Sequence, residues 1–160
     1  MKRLLRMLTL GAVITMMLSV SHLLAQTADP VIGTWELNLA KSKYDPGPAP
    51  KSQTRTYEAV GESLKVSIEG VTAEGKQTHT DYTGKYDGKD FPVSGNPDAD
   101  TMSLKRIDDS TTEATLKKAG KVVINSTRLV SKDGKVMTVK TKGTNAKGGA
   151  FNNTLVFDKQ

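Results

Sequence analysis

Alternation between apolar and polar residues with a period of two constrains the fold of this chain more than any other feature. The pattern recurs in short segments from Val31 to the C-terminus; in one of them Leu64 and Val66 alternate with Lys65 and Ser67. A period of two predicts β-strands with one buried face, and no segment of comparable length has a helical period. The other clear segments are Trp35-Leu37-Leu39, Met137-Val139-Thr141 and Phe151-Asn153-Leu155-Phe157.

Short turn sequences separate these segments at close intervals. Turns of this kind join antiparallel neighbours in hairpins. We therefore predict an all-β fold, an antiparallel up-and-down β-barrel of about nine or ten strands, in which closure removes the exposed strand edges. The turn sequences are Gly61-Glu62, Glu74-Gly75, Asp87-Gly88, Asp108-Asp109, Ala119-Gly120 and Asp133-Gly134.

Residues 1–25 are predicted to be a secretory signal peptide. A positively charged head precedes an apolar stretch from Leu8 to Val20, and Ala25 provides a small residue for cleavage. The barrel domain then spans residues 26–160, and we expect it in the periplasm or outside the cell. An uncleaved membrane anchor is the alternative interpretation, because residues 7–28 carry no charge.

Composition excludes several kinds of chemistry and partner. Cysteine is absent, so neither disulfides nor thiolate sites can form. His79 is the only histidine outside the predicted signal peptide, which excludes sites with several histidines. Three of the 23 basic residues lie in that peptide, and the rest nearly balance 17 acidic residues. We therefore expect no metal, no cofactor, no nucleic acid and no stable membrane insertion after cleavage, and we expect a monomer.

Three segments have a functional interpretation beside a structural one. His79 and Asp81 share a strand face, where a carboxylate can orient an imidazole, but no nucleophile motif accompanies them and we predict no catalytic residue. The loop 96–100, with the acidic pair 108–109, offers oxygen ligands for calcium without the EF-hand spacing. The Pro-rich segment 41–51 is either a stiff crossing between the first two strands or a cover over the barrel mouth.

The three arginines outside the predicted signal peptide are the strongest candidates for ligand binding. Each shares strand parity with apolar residues, so we expect Arg55, Arg106 and Arg128 to point into the barrel. Tyr82 and Tyr86 share one strand face and are predicted to line the same interior. An inward guanidinium needs an anion or other acceptors, which favours a ligand with an anionic group. The alternative is that these arginines cap the barrel ends or stack on aromatic rings.

Gly33-Thr34-Trp35-Glu36-Leu37 resembles the G-x-W opening of the first strand in the lipocalin and fatty-acid-binding-protein (calycin) superfamily. With the Pro-rich segment 41–51 and Tyr86-Asp87-Gly88-Lys89, nearly all of residues 26–160 resembles small secreted bacterial proteins described as lipocalin-like. The resemblance implies that Trp35 closes the base of the barrel. It also implies that Arg128 matches a late-strand arginine, which packs over that tryptophan or binds carboxylate. Arg128-Leu129-Val130 lacks the Arg-x-Tyr pattern of fatty-acid-binding proteins, so the resemblance does not extend to fatty-acid specificity.

Together these features predict an exported binding protein that holds a small amphiphilic or apolar ligand, anionic if the arginines bind it. The alternative is a structural or interaction protein of the cell envelope with a filled barrel core and no ligand. A hydrolase or isomerase on a calycin barrel is a third interpretation. Interior volume separates the first two, because a barrel filled with side chains cannot hold a ligand.

Overall fold

The computed structural model describes residues 29–160, which form ten β-strands and one short 3-10 helix, Leu39–Lys41. The predicted signal peptide lies outside the described residues. The strands are β1 (Gly33–Leu37), β2 (Ser52–Val60), β3 (Ser63–Val71), β4 (Gln77–Gly84), β5 (Phe91–Ser94), β6 (Thr101–Arg106), β7 (Thr111–Lys118), β8 (Lys121–Val130), β9 (Val136–Thr144) and β10 (Ala150–Lys159).

The ten strands form a closed antiparallel barrel in which each strand pairs with its neighbours in the sequence. β1 pairs with β2 on one side and with β10 on the other, where Leu37 lies opposite Phe157. Closure gives every strand two partners, so no edge strand is left exposed. The predicted up-and-down barrel is confirmed.

The alternation in the sequence corresponds to the inner and outer faces of the barrel. In β3, Leu64 and Val66 are buried and Lys65 is exposed. Leu39 and Val122 are examples of apolar residues that strand parity assigns to the inner face but that lie outside. Leu39 belongs to the 3-10 helix and is exposed, because β1 already ends at Leu37. Val122 is exposed although strand parity groups it with Arg128, because a bulge shifts the β7–β8 register at Leu116.

The two ends of the barrel differ. At one end, the covered end, the segment 29–32 packs against the core and Val31 is almost fully buried. The covered half is filled by large side chains, among them Trp35, Tyr57 and Phe157. The other end, the far end, carries the β3–β4, β5–β6, β7–β8 and β9–β10 connections. Within residues 29–160, no helix is long and apolar enough to cross a bilayer.

The Pro-rich segment joins β1 to β2 at the far end. The backbone of Lys43 exchanges hydrogen bonds with Thr154 of β10, and the carbonyl of Asp45 accepts one from Asn152. These bonds continue the pairing of β10 beyond the end of β1. The residues 46–49 that follow are exposed. This arrangement matches the stiff crossing, one of the two interpretations drawn from the sequence.

Candidate ligand-binding cavity

The barrel interior contains a partly open cavity of about 190 Å³. It lies toward the far end, because its lining includes Ile68, Thr141 and Asn96 of the β5–β6 loop. No residue of the Pro-rich segment lines it, so this segment is not its cover. The wall combines an apolar surface with a few polar groups, as ligand pockets usually do. The apolar side chains are Ile68, Met102, Leu104, Ala114, Leu116, Ile124, Val139 and Phe151, and the polar ones are Arg55, Tyr57, Thr80, Tyr82, Asn96, Thr112, Ser126, Arg128 and Thr141.

Arg128 is the most buried charged group that lines the cavity, at 8% exposure. β8 directs it inward opposite Thr112 of β7. Its Nη2 donates to the hydroxyl of Tyr86 at 2.8 Å and to Oγ1 of Thr112 at 3.1 Å. The guanidinium carbon lies 5.1 Å from the ring centroid of Tyr57, within cation–π range. Neutral hydroxyls and an aromatic face therefore hold this cation.

Two electrostatic properties of Arg128 bear on ligand binding: its pKa is raised, and it has no ion-pair partner in the described part of the chain. Burial disfavours the charged form, but the nearby hydroxyls of Tyr57, Tyr86 and Tyr82 outweigh that effect and raise its pKa above the ordinary value. Among residues 29–160, the ion pairs of the barrel do not include Arg128. A buried charge without a counter-ion is costly to the fold. An anion in the cavity would offset that cost.

Arg55 reaches the same cavity from β2. Its Nε donates to Oε1 of Gln53 at 3.0 Å, and its guanidinium carbon lies 4.6 Å from the ring centroid of Phe157. Within the described part of the chain it also makes no ion pair with a carboxylate. Arg55 thus supplies a second uncompensated positive charge to the cavity wall.

Tyr82 of β4 lines the same cavity. Burial raises the pKa of its phenol, and the positive charges of Arg128 and Arg55 only partly offset that effect. On the wall beside the cavity, its ring stacks on Phe91 with centroids 5.8 Å apart. The phenol therefore stays protonated at neutral pH and can donate a hydrogen bond to an anion.

Arg106 and Tyr86 do not line this cavity but meet Asp29 at the covered end. The Tyr86 hydroxyl donates to Oδ2 of Asp29 at 2.7 Å, and Nη2 of Arg106 donates to the same oxygen. The guanidinium carbon of Arg106 lies 4.1 Å from the ring centroid of Tyr86. Among the three arginines, Arg106 is therefore the one with a carboxylate partner. It caps the barrel end, which is the alternative drawn from the sequence.

Asp29 is a residue that sequence reasoning missed. Burial alone would raise its pKa, but hydrogen bonds from Tyr86, Val31 and Arg106 hold the pKa below its ordinary value. The available signal was weak: Asp29 is the first charged residue after the predicted cleavage site. Its partners lie 57 and 77 positions away in the sequence. No local pattern predicts such pairs.

Trp35 occupies the position expected from the resemblance. It is fully buried, and its Nε1 donates to the carbonyl of Val31 at 2.7 Å, which ties the covering segment to β1. Of the two roles that the resemblance implies for Arg128, packing over this tryptophan is not the one seen among the described residues. Lys159 of β10 lies opposite Trp35, with its Nζ 5.1 Å from the ring centroid, while Arg128 lies over Tyr57.

The remaining candidate residues lie outside the cavity. His79 is exposed on the outer face of β4, between Asp81 and Glu69. In the loop 96–100, Asp98 accepts a backbone hydrogen bond from Ala146. The pair 108–109 lies at the opposite end of β6, so the expectation that it lies near this loop is wrong. Among residues 29–160, no three side chains of His, Cys, Asp or Glu are grouped closely enough to hold a metal ion.

Comparison with known proteins supports the fold. No protein-family model matches the chain, and no curated protein matches it. The crystal structure of Rv2717c from M. tuberculosis is similar, with 12% identity and a TM-score of 0.52, over 82% of this chain and 93% of that one. At this identity the similarity shows the fold alone.

Two other solved barrels give lower TM-scores. Zebrafish ileal bile acid-binding protein complexed with cholic acid has 11% identity and a TM-score of 0.48, over 82% of this chain and 99% of that one. A redesigned β-barrel bound to DFHBI has 12% identity and a TM-score of 0.42, over 81% and 99%. The predicted fold, an all-β barrel of the lipocalin and fatty-acid-binding-protein type, is confirmed by the closed ten-strand topology.

Proposed function

We propose that this protein is an exported binding protein for a small anionic molecule with an apolar body. One observation carries the proposal: Arg55 and Arg128 line one cavity whose wall, in the described part of the chain, contains no carboxylate. Two guanidiniums beside an apolar wall attract an anion and offer it bidentate hydrogen bonds. The apolar side chains then take up the remainder of the ligand.

The size of the cavity limits the ligand. At about 190 Å³ it lies below the ~300–1,000 Å³ of pockets for drug-sized molecules. It is slightly larger than an engineered protein cavity of about 150 Å³ that binds benzene. The ligand is therefore about one aromatic ring in size, with small substituents. A long acyl chain does not fit this volume.

Binding is favoured over catalysis by the groups that line the cavity. They include no histidine, carboxylate or lysine among residues 29–160. Acid–base catalysis relies mainly on such groups, with a pKa near the working pH. The pKa values of Tyr82 and Arg128 are instead raised, so both groups stay protonated at neutral pH, which suits recognition of a fixed negative charge. We therefore propose no enzymatic activity.

Export to the periplasm or the medium is part of the proposal and rests on the N-terminal sequence alone. N-terminal sequencing of the protein recovered from the envelope or the medium should begin at or near Gln26. An intact Met1 in the membrane fraction would instead establish the uncleaved anchor. Asp29 remains in the mature chain under either outcome, so the covered end keeps its contact with Arg106.

Calorimetric titration with benzoate and with its neutral counterpart benzamide tests the binding function. Benzoate should bind and benzamide should bind at least tenfold more weakly, because only the carboxylate pairs with a guanidinium. Arg128→Gln should weaken benzoate about ten- to hundredfold, the usual effect of removing one partner of a charge-assisted pair.

Lys140→Gln is the matched control for that variant, because it removes one positive charge from the exposed outer face of β9. It should leave benzoate affinity unchanged. Equal binding of benzoate and benzamide, or equal losses in the two variants, would contradict an anion site in the barrel.

A second candidate function, an interaction protein of the envelope, is favoured by one observation. Ile107 and Leu129 are 49% and 48% exposed. They flank Thr111 on the outer face, because Ile107 hydrogen-bonds to Thr111 and Thr111 pairs with Leu129. Neighbouring exposed apolar side chains can mark a contact surface. If no small anion binds, loss of envelope association in Leu129→Ser would support this function, and unchanged association would refute it.

A further inference from the structure

We propose that the ligand of this barrel is a dianion whose two negative charges compensate Arg128 and Arg55. The inference rests on the proposed binding function and specifies the charge of its ligand. It follows from the charge balance of the barrel interior and from the position of both arginines in the wall of one small cavity.

The charge balance leaves two cations without counter-ions. Asp29 is shared by Arg106 and the Tyr86 hydroxyl, and that hydroxyl in turn accepts from Arg128. The single carboxylate of this network is therefore neutralised by Arg106, which makes an ion pair with it. Arg128 and Arg55 remain, and no carboxylate lines their cavity in the described part of the chain. A ligand with one negative charge would leave one of these two guanidiniums without a counter-ion, whereas a dianion compensates both.

The two cations enter the cavity from different strands, Arg55 from β2 and Arg128 from β8. The guanidinium carbon of Arg128 lies 5.1 Å from the ring centroid of Tyr57, which also belongs to β2, so Arg128 extends toward the wall that carries Arg55. Both arginines line one cavity of about 190 Å³. A ring-sized ligand in this cavity can therefore bring negative charge to both of them.

Titration of the mature protein with a set of aromatic acids tests the inference. The probes are benzoate, the three benzenedicarboxylates, and phenyl phosphate, which carries both charges on a single group. The tightest dicarboxylate should bind at least tenfold more strongly than benzoate, because its second carboxylate supplies the second guanidinium with a counter-ion. Arg55→Gln should reduce the affinity of that dicarboxylate about ten- to hundredfold, to the level of benzoate. Lys140→Gln should leave the dicarboxylate affinity unchanged.

The outcomes separate this inference from the proposed function. If benzoate binds as tightly as phenyl phosphate and every dicarboxylate, the dianion is refuted while anion binding stands. If phenyl phosphate binds most tightly, the ligand is a dianion that carries both charges on one group. If none of the acids binds, the proposed function and this inference both fail. Thermal melting of Arg55→Gln without ligand checks that the variant is folded. A loss of dicarboxylate affinity is attributed to the missing guanidinium only if the variant melts at the wild-type temperature.

Discussion

Replacing Trp35 tests whether the covered end of the barrel is closed as the structure indicates. Truncation of a buried aromatic residue to alanine usually costs roughly 3–5 kcal/mol. Trp35 is fully buried, and its Nε1 also satisfies the Val31 carbonyl at 2.7 Å. We therefore expect Trp35→Ala to lower the free energy of unfolding by about 4 kcal/mol. Trp35→Phe keeps most of the ring but strands the carbonyl, which costs about 1–3 kcal/mol.

Urea unfolding followed by far-ultraviolet circular dichroism measures both losses, because this signal does not depend on the tryptophan. Val122→Ala is the control: Val122 is a strand residue with 53% exposure, and substitutions at such surface positions stay within about 0.5 kcal/mol. A Trp35→Ala variant within about 1 kcal/mol of this control would refute closure of the covered end by Trp35. Equal losses in Trp35→Phe and Trp35→Ala would show that the Nε1 hydrogen bond, and not packing, dominates.

Three further predictions concern single residues. The pKa of the Asp29 carboxyl is lowered from 3.8. The ionised carboxylate therefore stabilises the fold fully above pH ~3.8, and this stabilisation is lost as the pH falls through the lower pKa of the folded state. When the free energy of unfolding is measured against pH, Asp29→Asn should lack this loss. Tyr86→Phe removes a phenol whose pKa burial raises to about 12, so an absorbance titration should lose one late-ionising tyrosine. Gly143→Ala should destabilise the barrel in urea by about 1–3 kcal/mol, because its Cβ would lie 2.2 Å from the backbone oxygen of Val123. Gly47→Ala, with 3.9 Å to the nearest atom, should stay within ~0.5 kcal/mol of wild type.

The barrel could be predicted from the sequence because its signal is local. In a strand with one buried face, apolar and polar residues alternate with a period of two, and short turns between such strands favour antiparallel hairpins. The exceptions occur where local parity is interrupted. The bulge at Leu116 moves Val122 to the outer face, and the 3-10 helix removes Leu39 from β1. Neither a bulge nor an early strand end has a clear signature in the sequence.

The site was harder to predict, because parity distinguishes inside from outside but does not give depth along the barrel axis. Arg106 and Arg128 both extend from inward positions. Arg106 ends β6 at the covered end and reaches Asp29, whereas Arg128 lines the cavity. The hydroxyl of Tyr86 connects the two, although Tyr86 lies beyond the end of β4. Such contacts depend on register across several strands, which a single sequence does not fix.

The way Arg128 is held is itself an argument for a ligand. For stability alone, an apolar side chain of similar volume would serve the barrel interior as well or better, since replacing buried ionic groups by hydrophobic ones is often neutral or stabilising. The fold instead retains a guanidinium at 8% exposure and fixes it through Tyr86 and Thr112, which satisfy hydrogen bonds without cancelling the charge. The nearest carboxylate of that network, Asp29, is already paired with Arg106. A cation that is held in place but left uncompensated beside a cavity suits the binding of an anion better than the support of a filled core.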